Sequence, residues 1–354
     1  MQKILVYGMT DNRGGMESYI HNIYQNLDKN RYQFDFVCDF PDMVLKDYYL
    51  SQGSTIYFIP PKNKGLFKHL ISMYKIIKQG GYKIVYFNIM NAGYALNMLP
   101  AYLLGCKIIA HSHNAGTHKI RIHQLFKGLL KRLAKTKLAC SEVAGQFMFG
   151  DDTCYSVINN GIDLDKYQFS DAAYHAIRKQ FAWDNKKIIL HVARMDQQKN
   201  PHFVLDIMKR INRLDKDIHL AYVGDGPMKA ELIERIKNEN IQNISLLGIR
   251  EDIPQLMIAA DVFILPSLFE GLPITAIEAQ ASGSPLLLSE NISPATKILD
   301  TTEFLPISHA DTWANEIIKC LNAPVVRENK SNILRQHGYD IKDSTRILEN
   351  ILSC

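Results

Sequence analysis

Four things are missing from this 354-residue chain, and each absence closes off a class of protein. None of the six cysteines (Cys38, Cys106, Cys140, Cys154, Cys320 and Cys354) stands in a CxxC pair. That spacing argues against a disulfide framework or a zinc ribbon and points to reduced, cytosolic thiols. No apolar run approaches the ~20 residues of a helical membrane span, and the opening MQKILVYG has the pattern of a strand rather than a signal peptide. No GxGxxG with a suitably placed acidic residue completes a dinucleotide fingerprint. Acidic residues are also absent between Asp47 and Glu142, an interval that holds 14 Lys and Arg. A block of this kind either attracts anionic surfaces and substrates or is simply a solvated basic face.

Hydrophobic residues make up 47% of the chain, as in ordinary globular proteins, and the length accommodates two full cores. The net charge of +5 is uneven: residues 1–165 carry 19 Lys and Arg against 12 Asp and Glu. Short β-rich runs at 3–7, 34–38, 55–59, 84–87, 107–110, 137–140 and 155–158 alternate with helical stretches. Most are continuously apolar, the signature of parallel strands covered on both faces. The turn cluster Asn159-Asn160-Gly161-Ile162-Asp163 interrupts the pattern. It restarts with strands expected at 188–192, 218–223, 244–247, 262–265 and 285–288. Two α/β domains joined near residue 163 account for this order.

The stretch from Pro266 to Pro285, PSLFEGLPITAIEAQASGSP, carries the strongest chemical pattern. A strand ends at Pro266, Glu270 lies in the following loop, Gly271 frees the backbone, and Pro273 suits the first turn of a helix. Glu278 falls about a turn inside that helix, on the face of Ile274 and Thr275. The two carboxylates are then about 10 Å apart. Between them the N–H groups of a helix start form an anion site. Carboxylate, anion hole and carboxylate match sugar hydroxyls, diphosphate and ribose hydroxyls. The plainer alternative is a capped amphipathic helix with two solvated glutamates.

Other strand ends carry weaker signals. Gly14-Gly15 after the first strand lets backbone approach a ligand in front of a helix start, although such a pair also makes an ordinary turn. His111-Ser112-His113-Asn114 follows the strand at 107–110, where open α/β sheets place ligands. Either histidine can bond a sugar or phosphate oxygen, and without a nearby carboxylate or cysteine a zinc site is disfavoured. Arg194 and Lys199 flank a strand-to-helix loop, a fork and a point charge suited to phosphate, and Asn200-Pro201 has the form of an N-cap with proline behind it. Gly224-Asp225-Gly226-Pro227 and Leu247-Gly248-Ile249-Arg250 end the next two strands. The DxD-like pairs Asp163/Asp165 and Asp215/Asp217 are surface or turn residues by position. In the segment 118–137, Ile122, Leu125, Phe126, Leu129, Leu130 and Leu133 recur at helical spacing opposite a basic side. Packing on the sheet is the default for this helix and a membrane-surface role the alternative.

The order of these motifs resembles one family. The GG turn, HSHN, INNGID, HVARMDQQKN, VGDGPM, LLGIR and SLFEGLPITAIEAQASGSP are similar to the retaining glycosyltransferases of family 4, over nearly the full length and most strongly from Ile188 to Leu288. Glu270 to Glu278 matches that family's E-x7-E motif, and the local detail is most like bacterial capsule, exopolysaccharide or O-antigen assembly enzymes. The resemblance implies a GT-B architecture, two Rossmann-like α/β domains facing across a cleft. Residues 1–163 with a returning segment 339–354 would form the acceptor side, and 164–338 the donor-binding domain. It implies that Glu270 binds the donor sugar and Glu278 the ribose. Arg194 and Lys199 would neutralise the diphosphate with backbone of Gly271, Leu272, Pro273, Ile274 and Thr275 and of Gly14-Gly15. Gly224 and Ile249 would line the nucleotide, and His113, or else His111, would face the acceptor. The catalytic set is His113, Arg194, Lys199 and Glu270. INNGID has Asn159 where the family often has proline, and GLPIT departs from the frequent GFGL.

The expected reaction is transfer of a sugar from a UDP-sugar or similar donor to a saccharide acceptor, lipid-linked by expectation, with retention and without metal or other cofactor. The expected place is the cytoplasm, peripheral at the inner face of the membrane through the basic first domain. Nucleic acid is not an expected partner. The rival readings are a nucleotide-sugar epimerase or hydrolase of the same fold, a silent nucleotide-sugar binding protein, and an NAD(P)-dependent oxidoreductase, which the missing fingerprint disfavours.

Overall fold

The apolar runs pair into two all-parallel sheets, one in each of two units. The computed structural model describes all residues except Arg13, His118, Asp152, Pro324, Val325, Val326, Glu328 and Cys354. The starting His118 of the expected helix, Arg13 in the glycine loop and the last cysteine therefore lie outside the described residues. The other five cysteines are free thiols. No described helix is long and apolar enough to cross a membrane.

The first unit comprises Met1–Gly161 and Asp340–Cys354. Its strands are β1 (Gln2–Tyr7), β2 (Tyr32–Cys38), β3 (Ile56–Phe58), β4 (Ile84–Ile89), β5 (Lys107–Ser112), β6 (Thr136–Ala139) and β7 (Ser156–Val157). They lie in the order β3-β2-β1-β4-β5-β6-β7. The chain builds outward from β1 in one direction, then crosses to β4 and builds in the other. That reversal between β1 and β4 is a switch point, where the diverging loops leave room for a ligand at the carboxyl ends. The helix Ile341–Ser353 belongs to this unit: Ile341, Leu348 and Leu352 are buried in the core of Ile4, Tyr24 and Tyr32. Each such side chain contributes ~1.5–3 kcal/mol by leaving water.

The second unit, Ile162–Tyr339, holds β8 (Lys187–Val192), β9 (Ile218–Val223), β10 (Ile244–Gly248), β11 (Val262–Leu265), β12 (Leu286–Ser289) and β13 (Thr302–Leu305). Their order β10-β9-β8-β11-β12-β13 puts a second switch point between β8 and β11. Strand β13 has no counterpart among the sequence expectations. Its TEFL is half polar and too short to stand out, and it forms because it pairs with β12.

Two further expectations need correction. Strand β5 does not stop at Ala110: parallel pairing continues through Asn88 with His111 and Ile89 with Ser112, so His111 is a strand residue. The helix expected over 118–137 is Ile120–Leu133, and only part of its apolar face is covered. Leu130 and Leu133 are buried, and Phe126 and Leu129 pack against the core. Ile122 and Leu125 are exposed.

Candidate functional site

In the second unit, the loops after β8 and β11 are stitched together at the switch point. Asp196 accepts the Lys199 N–H at 3.2 Å, closing a single turn over Gln197–Lys199. Asn200 adopts left-handed backbone (φ 55°), which asparagine tolerates. It precedes the helix Pro201–Leu214 as N-cap, but its side chain does not cap. The amide instead donates to the Pro266 carbonyl at 3.2 Å. Leu268 N–H donates to the Gln198 carbonyl at 2.8 Å, and the Gln198 amide to that of Phe269 at 3.1 Å.

This stitching brings Lys199 against Glu270. Their side chains are only 20% and 10% exposed and form an ion pair. Partial burial strengthens the attraction and makes either charge costly if left alone. Ser267 Oγ donates to the same carboxylate oxygen, Oε1, at 2.9 Å. Oε2 accepts no bond among the described residues. The Glu270 backbone is held by a bridge to Ile292 and by Ser293 N–H, which donates to its carbonyl at 3.1 Å.

The helix that follows is Ile274–Ala281, with Pro273 as N-cap in extended backbone (ψ 120°) rather than as its first residue. Proline has no N–H to lose, so it terminates the loop at no cost in hydrogen bonds. Among the described residues, no hydrogen bond occupies the N–H of Gly271, Leu272, Ile274 or Thr275. These four donors cluster at the positive end of the helix. Glu278 lies a turn further on, in the half-exposed stripe with Ile274 and Thr275, while Ala276, Ile277, Ala279 and Gln280 are buried.

Arg194 is exposed, with Nε 3.9 Å from the Asp196 carboxylate. Its position is set by neighbouring glycines. Gly224 has φ +137°, and a Cβ there would lie 2.0 Å from the Ala193 carbonyl oxygen. Met195 N–H donates to the Asp225 carbonyl at 2.9 Å. The glycine turn therefore serves close approach to the Arg194 segment. Ile249 is 78% exposed at the end of β10. Behind the loops, buried His191 donates its Nδ1–H to the Ile264 carbonyl at 2.9 Å, and burial pushes its pKa down to about 4.

In the first unit, Gly14 caps the helix Gly15–Asn26, but its N–H donates to the Glu17 carboxylate at 3.0 Å. Thr10 Oγ1 donates to the other Glu17 oxygen at 2.8 Å. The helix thus supplies its own anion at the glycine turn. Burial raises the Glu17 pKa. His111 is fully buried and shares a 2.6 Å hydrogen bond with Tyr86, so it is an interior residue of β5. His113, beyond the strand end, packs on it with its ring tilted by 32° and ring centroids 4.3 Å apart.

Asn88 orients His113. Its Nδ2 donates to the Tyr7 carbonyl at 3.4 Å, which turns Oδ1 towards His113 Nε2 at 2.9 Å. His113 therefore carries its proton on Nε2, while Nδ1 is buried. Burial pushes its pKa down to about 3, so the ring stays neutral. Asn88 went unnoticed in the sequence, although a lone amide inside the apolar run IVYFNI was a visible signal. Ser267 and Gln198 offered no such signal.

Two family descriptions match the chain: Glycosyltransferase Family 4 over residues 13–166 and Glycosyl transferases group 1 over 174–340. EpsF of Bacillus subtilis strain 168, a glycosyltransferase by assignment, is 31% identical across 96% of this chain and 93% of its own length. The chain belongs to the family 4 glycosyltransferases. A second relative of this glycosyltransferase, from Escherichia coli, is named UDP-Gal:α-D-GlcNAc-diphosphoundecaprenol α-1,3-galactosyltransferase. It is 29% identical over 90% of this chain and 88% of its own. Among solved structures, Anabaena HepE in complex with UDP and glucose superposes with a TM-score of 0.82, covering both chains fully at 18% identity. The glycosyltransferase accordingly has the GT-B fold, with two Rossmann-like domains.

Proposed function

We propose that this glycosyltransferase moves a hexosyl group from a UDP-sugar to a saccharide acceptor in surface polysaccharide assembly, retaining the anomeric configuration and using no metal. The observation that carries the reading is the Lys199–Glu270 pair beside four unoccupied N–H donors at the β8/β11 switch point. The diphosphate would sit on those donors with Lys199 and Arg194. Glu270 Oε2 would accept donor-sugar hydroxyls and Glu278 those of the ribose. Charge develops on the leaving phosphate as the glycosidic bond opens, and fixed donors stabilise it without reorganisation. Glu270 acts as a hydroxyl acceptor rather than a nucleophile. Neutral His113 lies on the acceptor side. The UDP-sugar and lipid-linked acceptor named for the E. coli relative, and the UDP and glucose bound by HepE, support the choice of substrates.

No group of three or more His, Cys, Asp or Glu side chains suited to a metal occurs among the described residues. Metal independence is therefore tested directly: turnover should survive EDTA. The acceptor places the enzyme at the inner membrane face, and the acid-free block from Asp47 to Glu142 supports attraction to anionic lipid there.

The deciding experiment incubates UDP-hexoses with lipid-linked or soluble saccharides and follows both UDP release and glycoside formation by NMR. An α-linked product from an α-linked donor, lost in Lys199→Ala, supports the reading. UDP release that needs no acceptor favours a hydrolase, and an inverted product contradicts retention.

A further inference from the structure

Ser267, the second residue after β11, is fully buried, and its hydroxyl donates to Glu270 Oε1 at 2.9 Å. Among the described residues that hydroxyl has no other hydrogen bond. Other buried serines of the same unit turn to backbone, as most side-chain donors do. Ser282 donates to the Ala279 carbonyl at 2.8 Å and Ser284 to that of Met257 at 3.2 Å. Ser267 spends its donor on a carboxylate instead.

The loop keeps its course without that bond. Asn200 and Gln198 tie it at Pro266, Leu268 and Phe269, and Ser293 ties it at Glu270. These anchors hold backbone and leave the Glu270 carboxylate free to rotate. Lys199 does not fix the rotation, because an ammonium is a point charge on a flexible stem. A hydroxyl on an anchored loop does, since its hydrogen is aimed at one oxygen. Oε1 is thereby held and Oε2 is left for another donor. A diphosphate would draw Lys199 away, and a carboxylate only 10% exposed is costly without a donor. Ser267 is the donor that stays.

We propose that Ser267 is a positioning residue of the donor site. When phosphate takes Lys199, its hydroxyl keeps the Glu270 carboxylate in place, with Oε2 turned to the hydroxyls of the hexosyl group. The proposal rests on the glycosyltransferase reading above and adds the residue through which sugar recognition outlasts the ion pair.

Calorimetry on the full chain compares UDP with UDP-glucose, UDP-galactose and the two UDP-N-acetylhexosamines. The proteins are wild type, Ser267→Ala, Glu270→Ala and the double variant, and the UDP-hexose that wild type binds most tightly is set against UDP. Ser267→Ala should weaken that UDP-hexose about tenfold and leave UDP unchanged. A distorted loop would weaken both alike. In Glu270→Ala, removing the Ser267 hydroxyl as well should change nothing, because the group it positions is gone. Crystals of wild type with the same UDP-hexose should show Lys199 Nζ on a phosphate oxygen and Ser267 Oγ still on Glu270 Oε1. The proposal is overturned if Ser267→Ala keeps the wild-type ratio of the two affinities. It is equally overturned if the hydroxyl matters as much in Glu270→Ala as in wild type, or if Ser267 leaves the carboxylate in the complex. Wild-type protein that binds no UDP-hexose overturns the donor reading, and the role of Ser267 with it.

Discussion

Lys199 and Glu270, 71 residues apart in sequence, pair where β8 and β11 lie side by side, and Ser267 shares the carboxylate oxygen that Lys199 contacts. The pair holds two candidate substrate-binding groups in place before any substrate arrives. A donor would reassign them, the cation to phosphate and the carboxylate's other oxygen to the sugar.

Removing one partner leaves a half-buried charge alone. Lys199→Met and Glu270→Gln should each lower unfolding stability by about 2–3 kcal/mol. The double variant should recover ~1–2 kcal/mol of the summed loss, because the penalty is shared. Urea unfolding of the four proteins measures this, and strictly additive losses would remove the pair from the account. All three variants should lose about 10²-fold or more in turnover.

Acid should destabilise the fold earlier than carboxylate protonation alone would. Burial, with Lys199 adding to it, holds His191 at about 4 against an ordinary 6.5. Between those values the unfolded chain binds a proton that the folded chain refuses. The stabilising contribution is therefore complete above pH 6.5 and falls by about 1.4 kcal/mol per pH unit as pH drops towards 4. Unfolding free energies from pH 7.5 to 4.5 should lose about one proton's worth of slope in His191→Gln. Parallel curves for the two proteins would contradict the assignment.

Glycines with positive φ should differ according to what surrounds them. Gly224→Ala meets the Ala193 carbonyl and should cost about 2–3 kcal/mol while weakening nucleotide binding through the Arg194 segment. Gly53 has φ +82° and open space around it, so Gly53→Ala should cost about 1–2 kcal/mol and leave binding untouched. Thermal unfolding and a UDP titration separate the two cases.

The exposed parts of the helices Ile120–Leu133 and Leu66–Gly80, which both pack against the helix Ala95–Leu103, bear on the proposed membrane attachment. Phe67 is 82% and Leu125 74% exposed, amid the basic residues of the acid-free block. The chain should co-sediment with anionic liposomes at low salt and less with zwitterionic ones. Phe67→Ser with Leu125→Ser should weaken that binding about tenfold, since two apolar side chains leave the interface. Equal sedimentation of wild type and double variant would assign the attraction to charge alone.

Strands were legible wherever burial on both faces made the run continuously apolar, as in Ile218–Val223 and Val262–Leu265, whose bounds match the expectation. The stripe holding Ile274, Thr275 and Glu278 was equally legible, because helical periodicity fixes it locally. What escaped depends on partners distant in sequence. Strand β13 exists through pairing with β12, and His111 is drawn into β5 by Asn88. The stitching by Gln198 and Asn200, and the pairing of Lys199 with Glu270, follow from strand order and from no local motif.

The central claim, that the β8/β11 switch point binds a nucleotide-sugar donor, is tested most directly by calorimetric titration with UDP, GDP, ADP and NAD, on wild type and on Glu278→Ala. UDP should bind to the wild type and at least about tenfold more weakly to Glu278→Ala, which lacks the carboxylate proposed for the ribose. Binding of NAD alone, indifferent to Glu278, would contradict it.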